Sequence, residues 1–399
     1  MDDTFEMLLQ KWVGEKVVLE ESAKKMRTDW NAQKAEQAGN RWTIAISTIG
    51  ALLLGIAAIS FVAVNWETLH RFTKIALFVC ATFASFGGGV FLQEIQKEYP
   101  KTGASLLFLS ALLFGGTLAL VSQVYQLGGD AWTLLALWTA GILPIAYLFS
   151  SLAVLRLALF TGISALLLYL SGGDSLGIED LFGSLFESFS QFPTLLIVGT
   201  LFFALGSIHL LTDRFAAMGK VLRLLGIKIF LFFLFWLSFL DISKEIFDEM
   251  NNVISNSDAF FWKNLFLATL SAAMGSYFFL QKSRPLSEVF GFILALITGV
   301  CALLVFDYGA FFLFTIWANI LFIFTIGALL KEGYQARNLE AVNFATFGIG
   351  IFLFGKYIDL FFDVFDTTLF FFVGGIVLVA GGIFLERKRR VITASFSAV

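Results

Sequence analysis

Apolar runs of about twenty residues, the length that crosses a hydrocarbon core, recur along the whole chain between short polar segments. The pattern predicts twelve membrane-spanning helices, at 43–64, 72–92, 103–125, 131–149, 151–170, 194–212, 221–240, 261–280, 286–306, 309–330, 338–357 and 368–385. The prolines punctuate this pattern. Pro193 and Pro285 stand at or just before helix starts, where a missing N–H costs nothing. Pro100 falls in a loop. Pro144 lies inside the fourth span and predicts a kink that frees a carbonyl one turn earlier.

Outside the spans the period changes. Residues 1–42 form a cytoplasmic helical segment with two short amphipathic stretches. Phe5, Leu8, Leu9, Trp12 and Val13 share one face of the first, and Ala23, Met26 and Trp30 one side of the second. The segment is too small to hold a core alone. It is expected to dock on the membrane domain, on another copy of the chain or on a protein partner. In the segment 176–192, Ile178, Leu181, Phe182, Leu185, Phe186 and Phe189 oppose Glu179, Asp180, Ser184 and Glu187. That spacing predicts a helix lying in the outer membrane interface. The stretch 357–366 repeats the idea, with Asp359, Asp363 and Asp366 on one face. Three acids could hold a cation, but no fourth ligand is in view and a solvated face is the simpler reading. The transmembrane domain thus covers 43–386, and a basic cytoplasmic tail covers 387–399.

Charge orients this arrangement. Twenty-two of the twenty-seven Lys and Arg fall on the side that holds both termini, and Arg71, Lys74, Lys244, Lys263 and Lys356 on the other. Basic residues mark the cytoplasmic side, and an even number of spans returns the chain to the side where it began. Both termini are therefore predicted to be cytoplasmic. Fifteen acids fall on each side, so the outer side nets −10 and the inner side +7. An acidic outer face would concentrate cations. It also follows simply from excluding Lys and Arg there.

Composition agrees and narrows the chemistry. The chain has 399 residues, is 58% hydrophobic and 14% charged, and carries 49 Phe. Cys80 and Cys301 both lie in apolar segments; two cysteines make no disulfide framework, and nothing near them has metal-ligand spacing. The motifs HExxH, GxxxxGK[ST] and a helix-opening GxGxxG are missing, and the GxSxG match GDSLG at 173–177 falls in the segment 171–193 between two spans, without the strand-to-helix turn that a nucleophile needs. No cofactor, metal or nucleic-acid partner is implied; the expected environment is the lipid bilayer.

Polar residues at membrane depth each need a reason. Asn319, near the middle of the tenth span, is a candidate midplane contact, either in a pathway or as an interhelical hydrogen bond. Asn65 and Glu67 end the first span, and Gln123 and Asp130 end the third, so these four are a candidate polar cluster at one outer mouth. Gly128 and Gly129 suit a C-cap and reversal between spans three and four. Gly348 and Gly355, Gly374 and Gly381, and Gly375 and Gly382 each repeat at seven residues, which suggests close packing of the last two spans. Arg156 and His209 lie near span ends and are expected to snorkel, and Lys356 to pair locally beside Asp359. The echo between GGVFLQE (88–94) and GGIFLER (381–387) is too short to define a repeat.

Several stretches together carry a family resemblance: FVAVNWETLHRF at the end of the first span, SQVYQLGGD followed by AWTLLALW at the third, and GKYIDLFFDVFDTTLFFFVGGIVLVAGGIFLERKRR near the end. The chain resembles the bacterial multipass membrane proteins grouped as domain of unknown function twenty-one fifty-seven. The likeness covers residues 5 to about 170, with a second block near 338–390. It implies a protein of the bacterial cytoplasmic (inner) membrane and supplies neither substrate nor catalytic residue.

The fold expected is all-α, a polytopic membrane bundle of about twelve helices. The function expected is non-enzymatic, structural or regulatory. The alternative is a secondary transporter or channel for a small solute or cation. An intramembrane enzyme would need a catalytic pair at depth, and none is found. The discriminating feature is whether the folded bundle encloses a polar cavity that reaches the midplane.

Overall fold

The computed structural model describes residues 70–171 except 98, then 191–254, 258–281, 286–304, 311–335 and 339–361, with scattered positions between 9 and 28, 49 and 60, and 374 and 381. Most of the first predicted span (43–64) and of the twelfth (368–385), the interfacial segment up to residue 190 and the tail 387–399 lie outside the described residues, as does most of 1–42. Of the apolar face predicted for 1–42, Leu9 and Ala23 are buried and Trp12 and Met26 exposed. The chain divides into two units, 1–166 and 167–399.

The first unit contains α1 (Arg71–Val90), which closes in a π-helical turn (Phe91–Ile95), then α2 (Pro100–Val124), α3 (Ala131–Leu148) and α4 (Leu152–Ser171), whose last residues fall in the second unit. Pro100 is not in a loop; it opens α2 within its first turn, where its missing N–H is harmless. Phe78 of α1 packs with Leu109, Leu113 and Leu120 of α2. Glycine brings these two helices together: a Cβ on Gly103 would stand 2.8 Å from the Gln93 nitrogen and 2.9 Å from the Gly89 carbonyl oxygen. Between α2 and α3 the fit is reciprocal. The Trp138 ring lies over Gly115, and the Phe114 ring over Gly141. The Trp138 indole also donates to the Ala111 carbonyl at 2.8 Å. The hydroxyls of Thr139 and Thr161 join α3 to α4 at 2.8 Å. α3 runs on through Pro144 as one helix.

The second unit contains α5 (Phe192–His209), a 3-10 turn (Asp213–Phe215), α6 (Ala216–Leu237), α7 (Leu240–Ile254), α8 (Asp258–Gln281), α9 (Leu286–Leu304), α10 (Phe311–Gln335) and α11 (Leu339–Phe361). α5 is apolar all round and packs on α6, α8 and α9, which is how such a helix avoids an exposed side. Its pairing with α6 is the closest in the unit. A Cβ on Gly199 or Gly206 would lie 3.0 or 2.7 Å from the carbonyl oxygen of Gly226 or Gly219.

Two differences from the expected layout stand out. The chain after the seventh span is not a loop but the strongly amphipathic α7, set at 97° to α6. It buries Ser243, Ile246 and Phe247 and exposes Asp241, Lys244, Glu245 and Asp248. Residues 357–361 also continue α11 instead of starting a separate interfacial helix. Among the described residues, seven helices are long and apolar enough to cross a membrane, and the α6–α7 pair makes an eighth. α9 supplies a shorter apolar stretch, Glu288–Leu303. α8 matches the span predicted at 261–280, but Lys263, Asn264, Thr269, Ser271 and Ser276 dilute its run. Large apolar side chains such as Phe83, Phe160, Phe266 and Leu280 point outward, a surface that suits lipid and not water.

Candidate functional site

In the first unit, α2 ends in a Schellman cap. The Leu127 N–H donates to the Ser122 carbonyl at 3.0 Å and the Gln126 N–H to the Gln123 carbonyl at 3.3 Å. The left-handed residue this motif needs is Gln126, at φ 48°, so the cap expected at Gly128 and Gly129 falls earlier. α3 ends the same way, with Ser150 at φ 48° and the Ser151 N–H on the Ala146 carbonyl at 2.9 Å. Asp130 occupies the N-cap position of α3 without a side-chain cap bond. Its carboxylate accepts from the Trp132 indole at 2.8 Å. Gln123 and Asp130 are both exposed. Asn65 and Glu67 lie outside the described residues.

In the second unit, polar groups gather at the break between α6 and α7. Bending a helix frees carbonyls that must be satisfied locally. The Ser238 carbonyl accepts from Asn319 Nδ2 at 2.8 Å and from Lys356 Nζ at 2.6 Å. The Ser243 hydroxyl donates to the Leu237 carbonyl at 2.7 Å, and the Ser238 hydroxyl to that of Phe235 at 2.6 Å. Lys356 also reaches Asp359 at 3.1 Å and lies 4.3 Å over the Phe239 ring. Asn319 donates within its own helix too, to the Thr315 carbonyl at 2.7 Å. The residue singled out as a midplane contact thus meets a carbonyl at a helix break that the hydropathy pattern does not show.

A slot opens elsewhere in the same unit. α9 and α10 touch only lightly, and between them lies a cavity of about 110 Å³ backed by α5 and α6. Thr200, Phe203, Phe230, Phe292 and Leu329 line it, with Glu288 and Glu332 at one end. Along α9 the lining runs from Glu288 to Ala295 and along α10 from Phe324 to Glu332, roughly 10–12 Å of helix. Thr200 and Thr325 stand near the middle of α5 and α10. The slot therefore runs from the carboxylate end to about halfway along the helices. Glu288 is tied to Arg223 of α6 in a largely buried ion pair, and the guanidinium lies 4.6 Å over the Phe203 ring. The Thr200 hydroxyl accepts from Ser271 at 3.1 Å and donates to the Ile197 carbonyl at 2.8 Å.

The glycines chosen for packing have other neighbours. Added Cβ atoms on Gly348 and Gly355 would meet Ile326 and the Phe239 and Phe235 rings, so these two face α10 and the α6–α7 corner. Gly374 meets the Tyr357 ring, while Gly375 and Gly381 face open space. Gly382 lies outside the described residues. The closest backbone approaches are instead at Gly199 and Gly206 against Gly219 and Gly226, two pairs with the same seven-residue spacing in adjacent spans. Arg156 is exposed, and His209 Nδ1 stands 2.7 Å from the Leu205 carbonyl. Among the described residues no three His, Cys, Asp or Glu side chains gather as metal ligands would.

No curated protein and no solved structure matches the chain. The second block of resemblance, near 338–390, is not part of the family match. Residues 10–155 match the family described as Predicted membrane protein (DUF2157), the one suggested by SQVYQLGGD and its neighbours.

Proposed function

We propose that this is a multipass protein of a bacterial cytoplasmic membrane, with about twelve spans, both termini in the cytoplasm and a non-enzymatic, structural or regulatory role. The bias of Lys and Arg supports the orientation. One observation carries the role: among the described residues, the charged and amide side chains at the α6–α7 break and beside the slot are committed to one another. Asn319 and Lys356 share the Ser238 carbonyl, Arg223 holds Glu288, and Thr139 meets Thr161. The slot ends among apolar side chains and a back-bonded threonine. The N-terminal segment, on this reading, docks a second copy or a protein partner.

Reconstitution into proteoliposomes tests the role. Solute uptake and proton or cation leak should equal those of empty vesicles. A flux abolished by Asn319→Leu or Asp130→Asn would overturn it. A stoichiometry in detergent that is unchanged by deleting residues 1–40 would remove the docking role of that segment.

The second reading, secondary transport, draws on the 97° break between α6 and α7. Transporters bind coupling cations at the carbonyl ends of interrupted helices. Here the Lys356 ammonium stands at that carbonyl, where a mobile cation would sit.

A further inference from the structure

The slot between α9 and α10 differs from the locked polar clusters in having a way in. Phe324, Ala328 and Glu332 on its α10 side are exposed, and so is Phe290 beside it on α9. In a helix that crosses a bilayer, exposed positions face acyl chains, so lipid stands at this opening. The slot is elongated along the helices, hence along the chains of one leaflet. At about 110 Å³ it is smaller than the ~150 Å³ apolar cavity that admits a benzene ring, so it takes a segment of a chain and not a whole lipid.

Charge at the mouth selects the headgroup. The Glu288 carboxylate is neutralised by Arg223. Glu332 is exposed and has no ion-pair partner among the described residues. A carboxylate at the lipid boundary accepts hydrogen bonds from an ammonium and repels an anionic headgroup. We propose that the slot binds an acyl-chain segment of a membrane phospholipid whose headgroup carries an N–H-bearing ammonium, of the phosphoethanolamine type, with that ammonium on Glu332. The inference goes beyond the proposed role and rests only on these helices crossing a bilayer. A positive flux measurement would therefore overturn the role and leave the lipid site standing.

The test is native mass spectrometry of the full-length protein. It is delipidated in detergent and incubated with phosphatidylethanolamine or phosphatidylglycerol of identical chains. The wild type should retain the ethanolamine lipid about two- to fivefold over the glycerol lipid, the range of one solvent-exposed charge pair. Glu332→Gln should abolish that preference and still retain lipid. Ala328→Phe, which fills the slot from its exposed rim, should abolish retention. If Ala328→Phe is not monodisperse, Gly291→Leu closes the slot from the opposite wall, where the nearest atom to a new Cβ is Phe324 Cε1 at 4.0 Å. Equal retention of the two lipids by wild type, or unchanged retention in the filled variants, overturns the proposal. So does a wild-type dimer that a filled variant splits, since the slot would then hold a second copy.

Discussion

Asn319 and Ser238, eighty-one positions apart in sequence, meet in an amide-to-carbonyl hydrogen bond of 2.8 Å at the corner where α6 gives way to α7. Lys356 reaches the same oxygen from α11. Three helices are thus pinned at one atom, and that atom exists as a free acceptor only because the helix bends there.

Sharing makes the two donors partly redundant. Asn319→Leu or Lys356→Met alone leaves the oxygen bonded and should cost about 0.5–2 kcal/mol. The double variant leaves it without either side-chain donor and should lose more than the sum. Thermal unfolding of the four proteins in one detergent measures the coupling. Strict additivity would mean that the corner is not a unit.

The ion pair between Arg223 and Glu288 is largely shielded, with side chains 10% and 11% exposed. Breaking such a pair from one side strands a charge, so Arg223→Met or Glu288→Gln should destabilise by about 3–5 kcal/mol. Replacing both by Met removes two desolvation costs together and should recover most of that loss. Midpoints of thermal unfolding across this cycle would show it.

Backbone approach distinguishes the glycines. Gly206→Ala places a methyl 2.5 Å from the Arg223 nitrogen and 2.7 Å from the Gly219 oxygen. Backbone cannot swing aside as a side chain can, so the helices must separate at a cost of about 1–3 kcal/mol or more. Gly375→Ala meets open space and should be neutral. Size-exclusion profiles and melting temperatures of the two variants should diverge.

Gln126 holds a left-handed backbone at φ 48°. A side chain there costs roughly 1–2 kcal/mol that glycine avoids. Gln126→Gly should therefore stabilise the end of α2 by about 0.5–1 kcal/mol, allowing for the greater freedom of glycine in the unfolded chain. Gln126→Val should weaken it. Hydrogen exchange at the Leu127 amide, which closes the cap, reads both changes directly.

These relationships were unequally visible in the sequence. SQVYQLGGD announces a helix end through its loss of apolar residues, but two adjacent glycines draw attention from Gln126, which takes the strained position. The pairing of Gly199 and Gly206 with Gly219 and Gly226 was legible by the seven-residue rule, since both pairs lie in neighbouring spans. The glycines of the last spans were more conspicuous for being doubled, but those described face side chains or open space. LDISKEIFDEMNNVI carries an amphipathic period, with Ile246 and Phe247 on one side and Asp241, Glu245 and Asp248 on another. Within a polar stretch between two stronger runs it reads as a connection.

The sequence by itself determined the solvent of this protein. Runs of about twenty apolar residues leave backbone groups that helices satisfy internally in lipid. Those properties are local, summed over a window, and need no knowledge of neighbours. Only the tertiary structure decided that α6 breaks at Ser238, that Asn319 and Lys356 converge there, and that α9 and α10 stand apart around a slot. In spans that are apolar nearly all round, hydropathy does not say which face meets which helix. That choice is made by close packing at glycines and by the few polar atoms that must find a partner.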